Sequence, residues 1–386
     1  MEYIKNNKYF AQVTGSLEKH AAEELKGLGA EILQEVSRGV RFSCDKETLY
    51  KIVYCSRLAT RLLAPLISMQ CHSEKYLYSQ AYNNIDWTSL INLEKCFSII
   101  TNVSNSHINN SLYAGQILKD AICDQFKKKY NKRPDFKPKD GDIVLSLYIS
   151  DNWATISYDI TGISMHKRGY REWSNAAPLQ ETLAAAIIKL SSWDGSTPLY
   201  DIMCGSGTLL AEALMYYSNI PAGYLRKTDN IKAMPDFDAK LWEQVLLNEN
   251  SRIRECPKGL IYGSDISKEC VDFTKKNLRN LPFGENVEVC ATDFSRLPVR
   301  EKRVIVCNPP YGVRMNVHSR NAETKQALSL LYNQLGDFLK QKCPQSEAYI
   351  LCGKPELIPE LRLRAHWKKT LKNGDIEAKL AKIKVS

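Results

Sequence analysis

After about residue 165 the chain settles into one rhythm, short apolar runs alternating with amphipathic ones. PLYDIM leads to TLLAEALMYYS, LIYGSDI to KECVDFTKKNLRNL, and VEVCATDF to RVIVCNPP. A helical stretch around AETKQALSLLYNQLGDFLKQ then precedes EAYILCG and the closing WKKTLKNGDIEAKLAKIKV. Strands that alternate with helices need crossover connections, and crossovers build a parallel sheet covered on both faces. The sequence therefore predicts an α/β fold with a doubly wound, mostly parallel sheet. Asn373-Gly374 lies between two alternating runs, a hairpin signal, so this sheet should end in an antiparallel pair. Residues 219–258 read as a helical insertion.

The first 160 residues follow a different pattern. YFAQVTG, RGVRFSC and TLYKIVYCSRLATRLL alternate as strands do, while Leu17, Ala21, Leu25 and Leu28 recur at helical spacing before Gly29. A small α+β unit results. Beyond it come a helical stretch around EKYLYSQAY, a strand FSIITNV, a long helix LYAGQILKDAICDQFKKKY, and two strands, IVLSLYIS and ATISYDI, joined by the turn signal Asp151-Asn152.

Ligands of open α/β sheets bind at the carboxyl ends of the strands, and four strand ends here carry unusual residues. DIMCGSGT, residues 201–208, places Gly205 and Gly207 in a tight turn before a helix, where a backbone can approach a ligand and free N–H groups face it. It lacks the G-K-[ST] of a phosphate loop and the third glycine of the dinucleotide fingerprint. Its acid, Asp201, suits a cationic amino-acid group better than a pyrophosphate. Asp265 ends the next strand, where a carboxylate can accept from ribose hydroxyls. Asp293 ends a third, able to accept from an adenine amino group while Phe294 packs on the ring. One such Asp is commonly only a helix cap, but three at successive strand ends are not explained that way.

The fourth end is NPPY. Pro309 and Pro310 terminate the strand and stiffen the loop, and Asn308 is held extended by the proline after it. The Asn308 amide oxygen and a neighbouring carbonyl form two fixed acceptors, matching the two protons of an exocyclic amine on a nucleobase. Tyr311 offers a face for the base to stack on, worth roughly 1–3 kcal/mol.

Charge points the same way. The 386 residues, enough for two or three domains, carry 53 Lys and Arg against 43 Asp and Glu, a net charge of +10. The excess is clustered: FKKKYNKRPDFKPK at 126–139 holds seven basic residues and one acid, HKRGYR follows at 166–171, and Arg362 to Lys384 carries eight Lys or Arg against two acids. Any one run can be a solvated face or a helix end complementing its dipole, but three in one chain favour a polyanionic partner. Twelve cysteines without a C-x-x-C pair predict reduced thiols packed as small core residues, and no metal site. No apolar run nears the roughly 20 residues that span a bilayer. MEYIKNNKYF has no signal-peptide core either, so the expectation is a cytoplasmic protein with no membrane partner.

Asn308-Pro309-Pro310-Tyr311 resembles the (D/N/S)-P-P-(Y/F/W) signature of amino-group S-adenosylmethionine methyltransferases. DIMCGSGT, HKRGYR, APLQETLAAAII at 177–188 and NGDIEAKLAKIKV at 373–385 resemble a narrower set, the THUMP-domain RNA guanine-N2 methyltransferases, especially RlmL-type enzymes of large-subunit ribosomal RNA. The likeness spans nearly the whole chain. It implies an N-terminal ferredoxin-like domain over 1–60, a THUMP RNA-binding domain over 61–160, and a Rossmann-like catalytic domain over 165–386 with a seven-stranded sheet. By this resemblance Asp201, Gly205 and Gly207 surround the methionine part of S-adenosyl-L-methionine, with Cys204 and Thr208 beside them. Asp265 and Ile266 take the ribose, Asp293 and Phe294 the adenine, and Asn308 to Tyr311 the target base. Glu181 and Thr182 line the same pocket. Lys127, Lys128, Lys129, Lys132, Arg133, Lys167, Arg168 and Arg171 are expected to grip RNA. Two positions depart from the family pattern: Ile202 stands where proline is usual, and Val313 where glutamate is usual.

The reaction this implies is attack of a guanine N2 amine on the sulfonium methyl, in 23S ribosomal RNA first and tRNA second. The rivals are adenine-N6 methylation of DNA or RNA, and an RNA-binding factor without turnover. A nicotinamide oxidoreductase would need the missing glycine and has no use for NPPY.

Overall fold

The structure is a computed structural model that describes residues 1–174, 178–226, 230–310, 322–374 and 376–385. The chain divides into two compact units. One comprises Met1–Val13, Glu18–Met165 and Lys227–Leu247; the other comprises Thr14–Leu17, His166–Arg226 and Asn248–Ser386.

The first unit is built on seven strands: β1 (Lys8–Val13), β2 (Glu31–Val36), β3 (Gly39–Ser43), β4 (Ala59–Gln70), β5 (Phe97–Ser104), β6 (Ile143–Ser150) and β7 (Trp153–Asp159). They form one sheet in the order β2-β3-β1-β4-β7-β6-β5. The expected boundary at residue 60 falls inside β4, which pairs with β1 on one side and with β7 on the other, so both N-terminal segments share this sheet. Pro65 cannot donate to the ladder, and the β4–β7 register slips there. Helices start where the sequence supplies caps. Asp45 accepts from the Thr48 amide at 2.8 Å ahead of Lys46–Cys55, so the expected strand over TLYKIVYC is a capped helix and only the stretch from Ala59 on is strand; Asn110 accepts from Tyr113 at 3.0 Å ahead of the long helix Ser111–Tyr130. Asn131 then stops that helix in the left-handed region at φ 53°. Asp151 and Asn152, at φ 52° and 59°, turn β6 into β7 as the sequence predicts.

The segment 230–247 belongs to this unit although it lies far along the chain. Its Asp236 accepts from the Tyr3 hydroxyl at 3.1 Å and pairs with Lys46 at 3.3 Å, and the Tyr50 hydroxyl accepts from the Asp238 amide at 2.8 Å. Trp242 sets its ring edge-on to Tyr50, with centroids 5.4 Å apart.

The second unit carries β8 (Leu199–Asp201), β9 (Ile261–Asp265), β10 (Glu288–Ala291), β11 (Val304–Cys307), β12 (Glu347–Cys352), β13 (Ala365–Asn373) and β14 (Ile376–Lys384). Their order is β10-β9-β8-β11-β12-β14-β13. The first five are parallel, while β14 runs antiparallel between β12 and β13, so the expected closing hairpin is present, with Gly374 at φ 63°. Every residue of β11 is buried, as a central parallel strand requires. Strand order reverses between β8 and β11, which opens a crevice at their carboxyl ends. No helix among the described residues is long and apolar enough to cross a membrane. All cysteines are free thiols, and all but Cys44, Cys55 and Cys290 are buried.

Candidate active site

Asp201, Asp265, Asp293 and Asn308 stand at the carboxyl ends of four adjacent strands, β8, β9, β10 and β11. Register ties them together: Asp201 lies across from Gly263 and Val306, and Ala291 across from Asp265. Asn308, two residues past Val306, therefore rises beside the turn that follows Asp201.

That turn is held by several hydrogen bonds from outside it and within it. The Gly205 amide donates to Asp265 Oδ2 at 2.9 Å, and the Gly205 carbonyl accepts from Thr274 Oγ1 at 2.7 Å. The Gly207 amide donates to the Cys204 carbonyl at 2.8 Å, and Cys204 N to Ser264 O at 2.9 Å. Asn277 closes the set. Its Nδ2 donates to Ser206 O at 3.0 Å and Trp173 O at 2.8 Å, while its Oδ1 accepts from the amides of Glu172 and Trp173. Thr274 and Asn277 share one face of the helix Lys268–Arg279, three residues apart. Sequence reasoning missed both, because nothing marks a mid-helix Thr or Asn as facing a loop.

Both glycines are required. Gly205 sits at φ 55°, and a Cβ there would meet nothing within 4 Å, so the space beside it is open to a ligand. Gly207 sits at φ 83°, and a Cβ there would lie 2.6 Å from Thr274 Cγ2. Thr208 opens the helix Thr208–Tyr217 directly after it.

Charge in the site is unbalanced. Asp201 is buried and accepts from the Met203 amide at 3.3 Å, and no cation among the described residues pairs with it. Burial pushes its carboxyl up to about 8, with Asp265 adding to the shift and the Met203 amide opposing it. Asp265 is half-buried and also accepts from the Ser267 amide, and Ile266 beside it is 73% exposed. Glu181 opens the helix Glu181–Ser191; burial raises its carboxyl despite Arg171 at 3.2 Å. Arg171 also donates to Thr208 Oγ1 at 3.1 Å, which joins Glu181 to the glycine turn. Glu181 Oε2, Thr182 Oγ1 and Asn308 Oδ1 are buried without a hydrogen-bond partner among the described residues. Such orphans are costly unless a ligand satisfies them.

Several expectations change. Arg168 is fully buried, 3.3 Å from Glu212, with the Tyr170 hydroxyl on the same carboxylate. Arg171 is spent on Glu181, Thr208 and the Leu179 carbonyl. Both were expected on RNA and are instead internal braces, since a buried guanidinium needs a carboxylate partner. Phe294 packs edge-on to Phe338 in the core, at 5.5 Å, so its ring serves packing and not an adenine. Asp293 caps its own turn through the Ser295 amide at 2.8 Å, and hydrogen bonding from Ser295, side chain first and amide second, lowers its carboxyl below the usual range. Lys127, Lys128, Lys129, Lys132, Arg133 and Lys167 are exposed. Burial drives the Cys204 and Cys307 thiols well above their ordinary range, which suits packing and not nucleophilic chemistry. Pro309 is buried and Pro310 half-buried; Tyr311 and Val313 lie outside the described residues.

Comparison with known proteins gives this geometry a family. Residues 168–382 match the RMKL-like methyltransferase domain, residues 8–63 the RlmL ferredoxin-like domain and residues 71–159 the THUMP domain. The chain is 34% identical over 375 residues to a provisionally named RNA methyltransferase of Synechocystis sp. (strain ATCC 27184 / PCC 6803 / Kazusa), covering 97% of this chain and 96% of that one. It superposes with TM-score 0.86 on SMU.472, provisionally described as a methyltransferase and crystallised with SAH, at 24% identity over 99% of this chain and 98% of the other. A predicted N6-adenine-specific DNA methylase from Listeria monocytogenes str. 4b F2365 also gives 0.86, at 22% identity over 99% and 97%. At such identities these two structures speak for the fold alone. The matches spanning most of the chain, with the glycine turn and acids at the switch point, show that it belongs to the RMKL-like, S-adenosyl-L-methionine-dependent methyltransferase family, preceded by RlmL ferredoxin-like and THUMP domains.

Proposed function

We propose that the chain methylates the exocyclic N2 amine of a guanine in RNA, ribosomal RNA of the large subunit before tRNA. The observation that carries this is Asn308 Oδ1, a buried acceptor without a partner among the described residues, at the switch point of the sheet. An exocyclic amine donates two hydrogen bonds, and Asn308 Oδ1 with the Pro309 carbonyl supplies two acceptors. Both draw lone-pair density back onto nitrogen and stabilise the positive charge that grows there. No strong general base is needed. Most of the acceleration then comes from positioning, which can supply up to roughly 7–11 kcal/mol.

The residues fit the donor. Bound S-adenosyl-L-methionine supplies an electrophilic methyl group on a sulfonium. Asp201 is an unpaired buried carboxyl suited to a cationic amine, and Gly205 leaves its flank open. Asp265 keeps lone pairs for ribose hydroxyls, Ile266 offers apolar surface, and Glu181 Oε2 and Thr182 Oγ1 hold unused polar capacity. The base is flipped out of its helix to reach Asn308. In this reading Tyr311 stacks on it, and the exposed Lys127, Lys128, Lys129, Lys132, Arg133 and Lys167 hold surrounding phosphates. The domains take the boundaries 1–60, 61–160 and 165–386, apart from residues 230–247, which belong to the first compact unit, and the protein works in the cytoplasm.

The Synechocystis relative's name favours RNA, whereas the Listeria protein's name favours adenine N6, which the same acceptor pair could read. Mass mapping of nucleosides from total RNA of cells with and without the protein separates them. N2-methylguanosine confined to the cells that have it is the expected result. N6-methyladenosine appearing in its place overturns the guanine assignment, and no change in either removes RNA as substrate.

A further inference from the structure

At the opposite, amino-terminal end of the same sheet two arginines meet with no ion-pair partner among the described residues. Arg300 and Arg303 come from the segment that enters β11, and both place their guanidinium carbons near the ring of Tyr262 on β9, at 5.8 and 5.6 Å. Their backbones are fixed. Arg300 N donates to Lys342 O at 2.8 Å, Arg303 N to Ser346 Oγ at 3.1 Å, and Glu347 N to Arg303 O at 2.9 Å. The side chains are not satisfied. Nε and Nη1 of Arg303 are buried and have no hydrogen-bond partner among the described residues. No carboxylate among the described residues forms an ion pair with either arginine. Glu347, the acid beside Arg303 in the ladder, gives its carboxylate to Lys382 at 2.8 Å and to the Tyr349 hydroxyl at 2.9 Å. Burial, and after it the adjacent Arg300, disfavours the charged form of Arg303.

Arg300 is exposed and Arg303 half-buried, so solvent screens part of their repulsion. Contact with an aromatic face does not replace the hydrogen bonds that Nε and Nη1 of Arg303 lose on burial, and the like charge alongside adds to that cost. Stacking on Tyr262 alone leaves a deficit that an anion with several acceptor oxygens would remove. Paired guanidiniums, one exposed and one half-buried, match phosphate geometry through forked N–H donors. Lys302 is exposed and Lys342 half-buried close by in sequence to these contacts, and the one acid between the two arginines, Glu301, is itself exposed to solvent.

We propose that Arg300 and Arg303 over Tyr262 form a phosphate-binding site at the amino-terminal end of the catalytic sheet, separate from the methyl-transfer crevice. Its ligand is a phosphate group, supplied either by a phosphodiester of bound RNA or by free phosphate. The test uses the full chain and inorganic phosphate titrated at constant ionic strength against chloride. Melting temperature should rise by about 2–4 °C toward saturation, and Arg300→Gln with Arg303→Gln together should abolish the rise. Because Arg300 is exposed, Arg300→Gln alone keeps the fold and should weaken the phosphate response several-fold. An absent rise in the wild-type chain, or an equal rise in the double variant, overturns the proposal. The salt dependence of RNA binding then identifies the source. A slope shallower by about 0.7 in the double variant, the value for one phosphate no longer neutralised, assigns the site to RNA. An unchanged slope beside an abolished phosphate response assigns it to free phosphate.

Discussion

On the proposed reading Asn308 serves the acceptor amine and Asp201 the methyl donor, two roles that single substitutions can separate. Asn308 Oδ1 has no duty inside the described fold, so Asn308→Ala should lower kcat by about 10²–10³-fold, the cost of losing one preorganised acceptor. Cofactor affinity should barely move, and equal losses in both would contradict the role. Asp201 makes a prediction in pH. With its carboxyl near 8 in the folded chain and near 4 when unfolded, the native state holds an extra proton between those values, so stability falls as pH rises from about 4 to about 8. Pairing with a cationic amine ionises it, so cofactor binding at pH 7 should release close to one proton. Calorimetry in buffers of different ionisation enthalpy measures this, and Asp201→Asn should abolish the release. The residue scale also shows what sequence conceals. The placement of Asp201, Gly205, Gly207, Asp265 and Asn308 at strand ends and in one turn was legible because such positions carry signatures, whereas Arg168 and Arg171 read as surface cations because a string of letters does not show the carboxylates, Glu212 and Glu181, that they face.

Among elements, the helix Lys268–Arg279 contributes more than its cap and amphipathic pattern disclose. Ser267 caps it through the Cys270 amide at 3.3 Å, and its apolar face packs inward, as an alternating α/β pattern requires. Thr274 and Asn277 then fix the carbonyls of Gly205 and Ser206, orienting the turn before any ligand arrives. Asn277→Ala removes bonds worth about 1 kcal/mol each, so titration calorimetry should show cofactor Kd weakened about tenfold or more, with a smaller change in kcat. An unchanged Kd would reduce Asn277 to a linker staple. The strands themselves were uneven in legibility. β11 announced itself by four branched or apolar residues ended by prolines, and β6 and β7 by their turn. EILQEV, which forms β2, lies at the sheet edge with no fully buried residue, so no apolar alternation exposes it.

At the scale of the whole molecule, charge and connectivity separate. The cations at the end of Ser111–Tyr130 are solvent-exposed, and Lys129 also donates to Thr88 Oγ1 at 2.7 Å. Replacing Lys127, Lys128 and Lys129 by Gln should weaken RNA binding across sequences and make its salt dependence shallower by about 2, at about 0.7 per phosphate; filter binding from low to high salt checks this. An unchanged slope would leave those lysines as dipole partners of the helix alone. The α/β half, its closing hairpin and the α+β character ahead of it all followed from periodicity. The placement of 230–247 did not, because membership of a compact unit depends on contacts such as Tyr3 with Asp236 that are 233 positions apart.

That interleaving bears on how the protein is made. A ribosome releases the chain from its amino end, yet the aromatic pocket begun by Tyr50 and Tyr54 is completed by Phe237 and Trp242. The earlier-translated unit must wait, its pocket bare, while the glycine turn and the helix after it are synthesised. Until residues 237–242 emerge, the rings of Tyr50 and Tyr54 lack these partners, an apolar exposure of the kind that invites association between unfinished chains.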